Sequence, residues 1–295
     1  MFSLLILSFH SRHLIINFVK EIDKNIPIVI VENSQDTELK NILEKQYPNV
    51  KVIIPNKNLG FSKAANLGIK ETKTDYVFFN PADVILPKKC IEDLLECVGK
   101  FNDFAMLAPT YKDETIYKNY ELYSEKNLLK NNISEKFGMK EVDIIDGTFI
   151  IKKSEFEKIG LFDENIFIYF ETWDLSKRVA KAGKKMYVCE KIKFEHLGGQ
   201  SHESKFNFEA TLSRNWHYCW SKFYYLRKYN NYLYALKKTF PTLVKSLVKY
   251  IKFFLKNNKK QRQIHMAEIN GLISAYFLKK SSYRPYETIK NEDNA

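Results

Sequence analysis

Cysteine is scarce in this sequence, and the few present do not cluster. Cys90, Cys97, Cys189 and Cys219 show no CxxC spacing, which excludes a zinc ribbon and a disulfide-stapled scaffold. They read as four reduced thiols, as in a cytoplasmic protein. Long apolar runs are missing as well: no stretch of about 18 apolar residues occurs, so no helix is expected to span a bilayer. Residues 1–8 are apolar, but His10 and Arg12 follow at once, with neither a basic leader nor a small-residue cleavage site. This stretch reads as a first buried strand rather than a signal peptide. There is no internal repeat. Acidic side chains are the minority, 35 Asp+Glu against 47 Lys+Arg. Residues 206–295 carry 17 basic and 5 acidic side chains, which is the whole of the chain's net charge of +12. The tail therefore points to an anionic partner, a membrane surface or a nucleic acid. Its aromatic and basic residues interleave, but no nucleic-acid-binding module accompanies them, so nucleic acid is set aside.

With 45% hydrophobic residues, 295 positions can bury one large α/β core and a smaller second unit. Strand and helix patterns alternate through the first half. Strands are predicted at 4–8, 27–32, 50–55 and 75–80, with helices at 14–22, 37–46, 62–72 and 87–100. PIVIVE at 27–32 is apolar and β-branched almost throughout, as a strand buried on both faces should be. Such alternation predicts βαβ units in a mostly parallel sheet, with ligands at the carboxyl ends of the strands. Beyond a polar, irregular stretch at 113–140, a strand is expected at 143–152. Helices follow at 153–159 and 173–182, and short strands at 185–189 and 192–195. From residue 207 long aromatic and basic helices take over, giving a division into 1–205 and a helical extension, 206–295.

The strand ends carry the chemistry. They present Phe9 and His10, Glu32 and Asn33, Asn58 to Gly60, and Asn80 to Asp83. Glu32 ends a buried strand, where a carboxylate can accept an N–H from a base. Asp83 offers the hard oxygen that Mg²⁺ or Mn²⁺ prefers. Glu171 and Asp174 stand i, i+3 on one helix face. Asp146-Gly147-Thr148 is a tight segment suited to close approach of a ligand. His196 ends a strand and is placed to complete a metal shell or meet a phosphate. Each has a structural alternative: Glu32 and Asp83 as turn formers, Glu171 and Asp174 as helix-start carboxylates, His196 as a satisfied histidine.

At these residues the sequence resembles the family-2 glycosyltransferases of the GT-A fold. Ser8-Phe9-His10 is similar to the Thr-Tyr-Asn that ends their first strand, and IVIVENSQD at 28–36 to their "vvVDNgStD". NKNLGFSKAANLG at 56–68 follows their N-x-G-f-x-x-A-x-N-x-G, and FNPADVILP at 79–87 their DxD-bearing segment. DGTFI at 146–150, GLFD at 160–163, FIYFETWDLSKR at 167–178 and HLGGQS at 196–201 resemble, in order, the later motifs of the rhamnosyltransferase-like branch. The resemblance implies a Rossmann-like, mostly parallel mixed sheet flanked by helices. It implies a nucleoside-diphosphate sugar donor, Mg²⁺ or Mn²⁺, and inversion at the anomeric carbon. By position, Ser8, Phe9, His10, Glu32, Asn33, Asn58, Gly60, Lys63, Asn66, Asn80, Asp83, Asp146 and Gly147 would line the nucleotide-sugar site. Asp83 and His196 would hold metal. Two departures stand out. Asn80 and Ala82 leave Asp83 as the one carboxylate of the DxD segment, and the family's Glu-Asp pair is Glu171-Thr172. Glu171 is therefore expected as the base, with Asp174 as an acceptor-binding group. The expected activity is glycosyl transfer in cell-surface polysaccharide synthesis, with dTDP-L-rhamnose as donor and a glycan or lipid-linked glycan as acceptor. A catalytically degenerate nucleotide-sugar-binding protein is the alternative.

In the tail, Leu243, Leu247, Tyr250, Ile251 and Phe254 share one helical stripe, and Lys245, Lys249, Lys252 and Lys256 another. That pattern fits the inner face of an anionic cytoplasmic membrane. Packing of the apolar stripe on the rest of the chain, or on a second subunit in an oligomer, is the other reading.

Overall fold

A computed structural model describes residues 1–113, 118–123, 131–196 and 204–284. Two compact units divide the chain. One comprises Met1–Asp163 and Thr172–Glu203, the other Glu164–Glu171 and Ser204–Ala295.

The first unit begins with four strands in βα alternation: β1 (Phe2–Ser8), β2 (Ile28–Glu32), β3 (Val50–Ile53) and β4 (Tyr76–Phe79). Helices α1 (Arg12–Glu21), α2 (Thr37–Gln46) and α3 (Gly60–Glu71) connect them. β2 is buried at every position. The remaining elements are β5 (Val84–Ile85), α4 (Lys88–Lys100), β6 (Met106–Tyr111), β7 (Tyr120–Glu121), α5 (Asn132–Phe137), β8 (Met139–Glu141), β9 (Ile144–Ile145), β10 (Phe149–Lys152), α6 (Lys153–Ile159), α7 (Glu171–Lys181) and β11 (Met186–His196). The main sheet runs β3-β2-β1-β4-β10-β6-β11-β5, with β8 beside β11. β1 is parallel to β2 and β4, β2 to β3, and β6 to β11, while β10 runs antiparallel to β4 and β6. This is the mixed, mostly parallel sheet expected from the alternation.

Side chains of successive strand residues enter opposite layers, as the pleat requires. Leu4, Ile6, Ile28, Ile30 and Phe78 pack with Ile15, Val19, Leu39, Leu43 and Leu94 on one face. Leu5, Val29, Val31, Val77 and Phe79 pack with Ala64, Ala65, Ile69, Leu175 and Val179 on the other. α3 sits close to β1: a Cβ on Gly68 would lie 2.3 Å from Leu5 Cδ1. The last glycine of the segment at 56–68 is thus a packing requirement.

Three details differ from the sequence expectation. The run at 143–152 is two strands, because Asp146–Thr148 turns between them. The pair of short strands at 185–195 is one strand, β11, interrupted by an irregularity between Cys189 and Lys193. The stretch 113–140 contains a strand, β7, paired with β9, and a helix, α5. Residues 114–117 and 124–130 of that stretch lie outside the described residues. All four cysteines are free and buried, and burial pushes the Cys90 and Cys219 thiols up to about 12. Burial keeps Cys90 and Cys219 in the protonated, unreactive form.

The second unit holds α8 (Asn207–Tyr229), α9 (Tyr232–Leu255) and α10 (Lys259–Tyr276). Asn231 and Asn258 cap the last two through Tyr234 N (2.9 Å) and Gln261 N (3.1 Å). Trp216, Trp220 and Phe223 build its core with Ala235, Ala267 and Ala275. Residues 164–171 join this unit through aromatic contacts. The Phe167 ring stacks 4.5 Å from His217, and Phe170 lies 5.4 Å from Tyr225. The Ser221 hydroxyl donates to the Ile168 carbonyl at 2.9 Å. Desolvation drives His217 down to about 3, so this histidine stays neutral. Among the described residues no helix is long and apolar enough to cross a membrane.

Candidate functional site

The carboxyl ends of β1, β2 and β4 lie along one edge of the sheet. Register sets Ser8 opposite Glu32, and Phe79 opposite Phe149. The turn Asp146–Thr148 leading into β10 therefore lies alongside the Asn80–Asp83 turn leaving β4.

The loop after β2 is held from within. Glu32 is fully buried. One of its carboxylate oxygens accepts from Ser34 N (3.1 Å) and from the Ser34 hydroxyl, the other from Asp36 N (2.6 Å). His10, in the left-handed region at φ 52°, donates its N–H to Ser34 Oγ at 3.0 Å. Arg12 grips Asp36 with two hydrogen bonds of 2.6 Å and reaches Glu38 at 2.5 Å. Burial alone would raise the Asp36 carboxyl, but the Arg12 hydrogen bond and charge, with backbone N–H groups, hold it below its ordinary value. This latch between α1 and α2 was not anticipated. Arg12 and Asp36 lie 24 positions apart with no shared motif, so no local signal exposes it. Through these bonds Glu32 organises the loop that follows β2.

Asn33 ties the β2 end to the start of α3. Its Oδ1 accepts from Leu59 N (3.1 Å), and its Nδ2 donates to the Gly60 carbonyl (3.4 Å). Asn58 Oδ1 accepts from Gly60 N at 2.9 Å. Lys63 is exposed on the first turn of α3. Asn66 is engaged elsewhere: its amide donates to the Phe162 carbonyl (3.0 Å) and accepts from Phe162 N (2.9 Å). Both ends of this buried amide pin the Phe162 backbone, so any part Asn66 has in the nucleotide site is to shape it through the 160–163 loop.

At the end of β4, the Asn80 amide donates to Pro81 O (3.1 Å) and Val84 O (3.3 Å), fixing the turn that presents Asp83. Asp83 is 5% exposed. The backbone of His196 pairs with Val84, which puts it beside Asp83 in the sheet. The His196 side chain and residues 197–203 lie outside the described residues. Three buried polar atoms of this edge, Ser8 Oγ, Asn80 Oδ1 and Thr148 Oγ1, have no protein hydrogen-bond partner among the described residues. Folded proteins leave few such groups, and those that persist tend to mark functional places.

Asp146 is partly exposed. Its Oδ1 accepts from the Thr172 hydroxyl and from Gly147 N, each at 2.8 Å. Gly147 sits at φ 74°, a backbone conformation that disfavours a side chain. Glu171, the first residue of α7, is buried and belongs to the second unit. Asp174 has no exposed surface, and one of its oxygens accepts from Arg178 Nε at 2.9 Å. The i, i+3 spacing is present, and the Asp174 carboxylate pairs with a partly exposed arginine.

Among the described residues no three His, Cys, Asp or Glu side chains come together as a metal-binding group. Asp83 is the strand-end carboxylate with the chemistry for a hard cation. Further oxygen ligands would come from a bound diphosphate, from neutral oxygens of this edge such as Asn80 Oδ1, or from outside the described residues.

The sequence profile of Glycosyl transferase family 2 matches residues 5–160, more than half of the chain. Over 188 residues the chain is 26% identical to the dTDP-rhamnosyl transferase RfbF of Shigella flexneri, covering 60% of this chain and 62% of that one. It is 25% identical over 189 residues to the O-antigen chain rhamnosyltransferase WbaN of Salmonella anatum, covering 61% and 59%. The match spans about three fifths of the length of these relatives. Among solved structures, the mannosyltransferase PcManGT of Pyrobaculum calidifontis, in complex with GDP-Man and Mn²⁺, aligns with a TM-score of 0.56 at 11% identity. That alignment covers 95% of this chain and 88% of the other, a likeness of fold.

Proposed function

The chain belongs to glycosyl transferase family 2, in the rhamnosyltransferase-like branch, and from that premise we propose that it transfers a hexose, with inversion, from a nucleoside-diphosphate sugar to a glycan acceptor. The observation that supports this reading is the shared edge of the sheet, where Asn33, Asn58 and Gly60 are hydrogen-bonded into one brace and the turn that carries Asp83 runs alongside the turn that carries Asp146. The proposed donor is dTDP-L-rhamnose, supported by the printed activity of RfbF, and the product is a cell-surface polysaccharide, in line with WbaN. Asp83 would hold Mg²⁺ or Mn²⁺, which supplies positive charge to the diphosphate as it leaves. The braced loops position the nucleotide, and the protein contributes fixed charge and orientation at the anomeric carbon.

A thermal-shift series with dTDP, UDP and GDP, each with and without Mn²⁺, tests the donor class. A ligand binding only the folded state adds about 2.7 kcal/mol at a hundredfold excess over its dissociation constant. A shift with dTDP that grows with Mn²⁺ is the expected result. A shift with UDP or GDP alone replaces the donor, and no shift with any of them favours the degenerate alternative.

The second unit supplies a place to work. On α9, Phe240, Val244, Leu247, Val248, Ile251, Phe254 and Leu255 are each at least 42% exposed and follow i, i+4, i+7, i+8, i+11, i+14 and i+15. The inward side of the helix is small and polar, with Ala235, Thr239 and Ser246 buried. Of the apolar row expected from the sequence, Leu247, Ile251 and Phe254 are exposed while Leu243 and Tyr250 are half-buried, and Lys245, Lys249, Lys252 and Lys256 run alongside. We propose that this face lies on an anionic bilayer surface, where lipid-linked acceptors are found. Vesicles rich in phosphatidylglycerol should carry the protein upward in flotation, less so as salt rises. Lys249→Gln with Lys252→Gln should weaken binding roughly 30-fold, since each surface lysine contributes about 1 kcal/mol. A concentration-dependent dimer that ignores vesicles would instead assign the face to a second copy.

A further inference from the structure

We propose that Asp146 is the general base that takes the acceptor proton, and that Thr172 is its positioning residue. This rests on the reading of the chain as an inverting transferase and names the group that the reading requires.

Inverting transfer to a hydroxyl needs a carboxylate that is accessible, aimed and not already engaged. Most acidic groups at the sheet edge fail one of these conditions. Glu32 has no exposed surface, and both its oxygens accept hydrogen bonds from the loop. Asp36 is locked in a two-point bond with Arg12. Asp174 has no exposed surface and holds Arg178. Asp83 is taken by the diphosphate side of the site.

Asp146 meets all three conditions. Its backbone is fixed where Asp146 N donates to the Asn119 carbonyl at 2.8 Å. Its Oδ1 is held by the Thr172 hydroxyl and Gly147 N, while Oδ2 has no protein partner among the described residues, on a residue that is partly exposed. A carboxylate anchored through one oxygen and open at the other has the form of a directed proton acceptor. The antiparallel register of β10 with β4 sets it beside the turn that carries Asp83. Thr172 is itself buried, at 3% exposed, so its hydroxyl holds a fixed direction. A threonine cannot take the proton near neutral pH, but across this 2.8 Å bond it fixes the carboxylate that does. In the step, the acceptor oxygen attacks the anomeric carbon as its proton passes to Asp146 Oδ2. The new C–O bond forms while the bond to the diphosphate breaks, and that electron pair leaves with the nucleoside diphosphate.

The test measures dTDP released from dTDP-L-rhamnose in Mn²⁺, with UDP-N-acetylglucosamine and GDP-mannose run in parallel and water as the acceptor of last resort. The full chain is used, with nucleotide affinity read separately by thermal shift. Asp146→Asn keeps the shape and the Oδ1 acceptor, and should lower kcat by about 10²–10⁴-fold with nucleotide affinity unchanged. Thr172→Val should lower kcat without changing KM for donor, and Thr172→Ser should restore it. The exchange Asp146→Thr with Thr172→Asp keeps the hydrogen bond, moves the carboxylate to its other end, and should recover turnover that Asp146→Asn lacks. Wild-type turnover in Asp146→Asn overturns the proposal, and so does a parallel loss of nucleotide affinity, which would make Asp146 a donor contact. Loss of turnover in Glu171→Gln with retention in Asp146→Asn overturns it in favour of Glu171. A wild-type chain that neither binds a nucleotide nor consumes a donor defeats the transferase reading itself, and the proposal falls with it.

Discussion

Asp83→Asn should lower donor turnover by about two to four powers of ten and remove the Mn²⁺-dependent part of the dTDP thermal shift. The magnitude follows from what one carboxylate contributes when charge builds on a departing diphosphate, several kcal/mol at about 1.4 kcal/mol per tenfold in rate. The neighbours in the turn carry no charge to replace it: Ala82 has no functional group, and Asn80, its Nδ2 bonded to Pro81 O and Val84 O, offers a neutral amide oxygen. The substitution is close to isosteric, so the turn should keep its form, and an unliganded melting curve checks that it does. The metal-free dTDP shift should survive, because the Asn33, Asn58 and Gly60 brace is untouched. Full turnover in Asp83→Asn, or an intact Mn²⁺ increment, would place the diphosphate away from this edge. It would also free Asp83 to compete with Asp146 for the role of base.

The parts of this fold that were legible in the sequence are those that local periodicity writes down. β2 is a continuous apolar run because helices cover both of its faces, and the βα alternation brought Glu32, Asn33, Asn58, Asn80 and Asp83 to one edge without any knowledge of their contacts. Side-chain direction was not legible. Asn66 lies in the most motif-like segment, yet its amide is taken by Phe162, 96 positions away. Glu32 reads as a free carboxylate until its oxygens are seen to organise their own loop. The Asp146–Thr172 bond spans 26 residues and two elements, β9–β10 and α7, whose approach depends on the completed sheet. Helix α10 escaped notice for a different reason. Its buried His265, Ala267, Ile269, Gly271, Leu272 and Ala275 include small and polar residues that blur any apolar stripe. Gly271 permits a close crossing: a Cβ there would lie 2.4 Å from the Trp216 carbonyl oxygen. Residues 164–171 belong with the helical unit through ring contacts that leave no periodic trace.

The second large effect is one of stability rather than chemistry, at a buried carboxylate of α7. Asp174→Ala should destabilise the first unit by about 3–5 kcal/mol, the usual loss when one partner of a buried ion pair is removed, and lower its melting temperature on the order of 10 °C. Arg178 is what makes the loss so large. Besides Asp174, its guanidinium donates to the carbonyls of Ile159 (2.9 Å) and Leu161 (2.5 Å). These groups belong to the turn after α6, where Leu161 adopts φ 55°, a left-handed conformation that a leucine holds only under outside restraint. Asn66 grips the next residue, Phe162, so side chains of two helices, α3 and α7, hold this one turn. Without the Asp174 carboxylate, the Arg178 charge stays inside with only carbonyl dipoles to meet it. The double change Asp174→Leu with Arg178→Met should recover part of the loss, since no charge is left uncompensated, but not all of it, since the two carbonyls lose their donor. In Asp174→Ala, turnover per folded molecule should stay near the wild-type value at low temperature. A normal melting curve with lost turnover would return Asp174 to the acceptor side of the site, and would mean that the clamp on residues 159–162 holds without it.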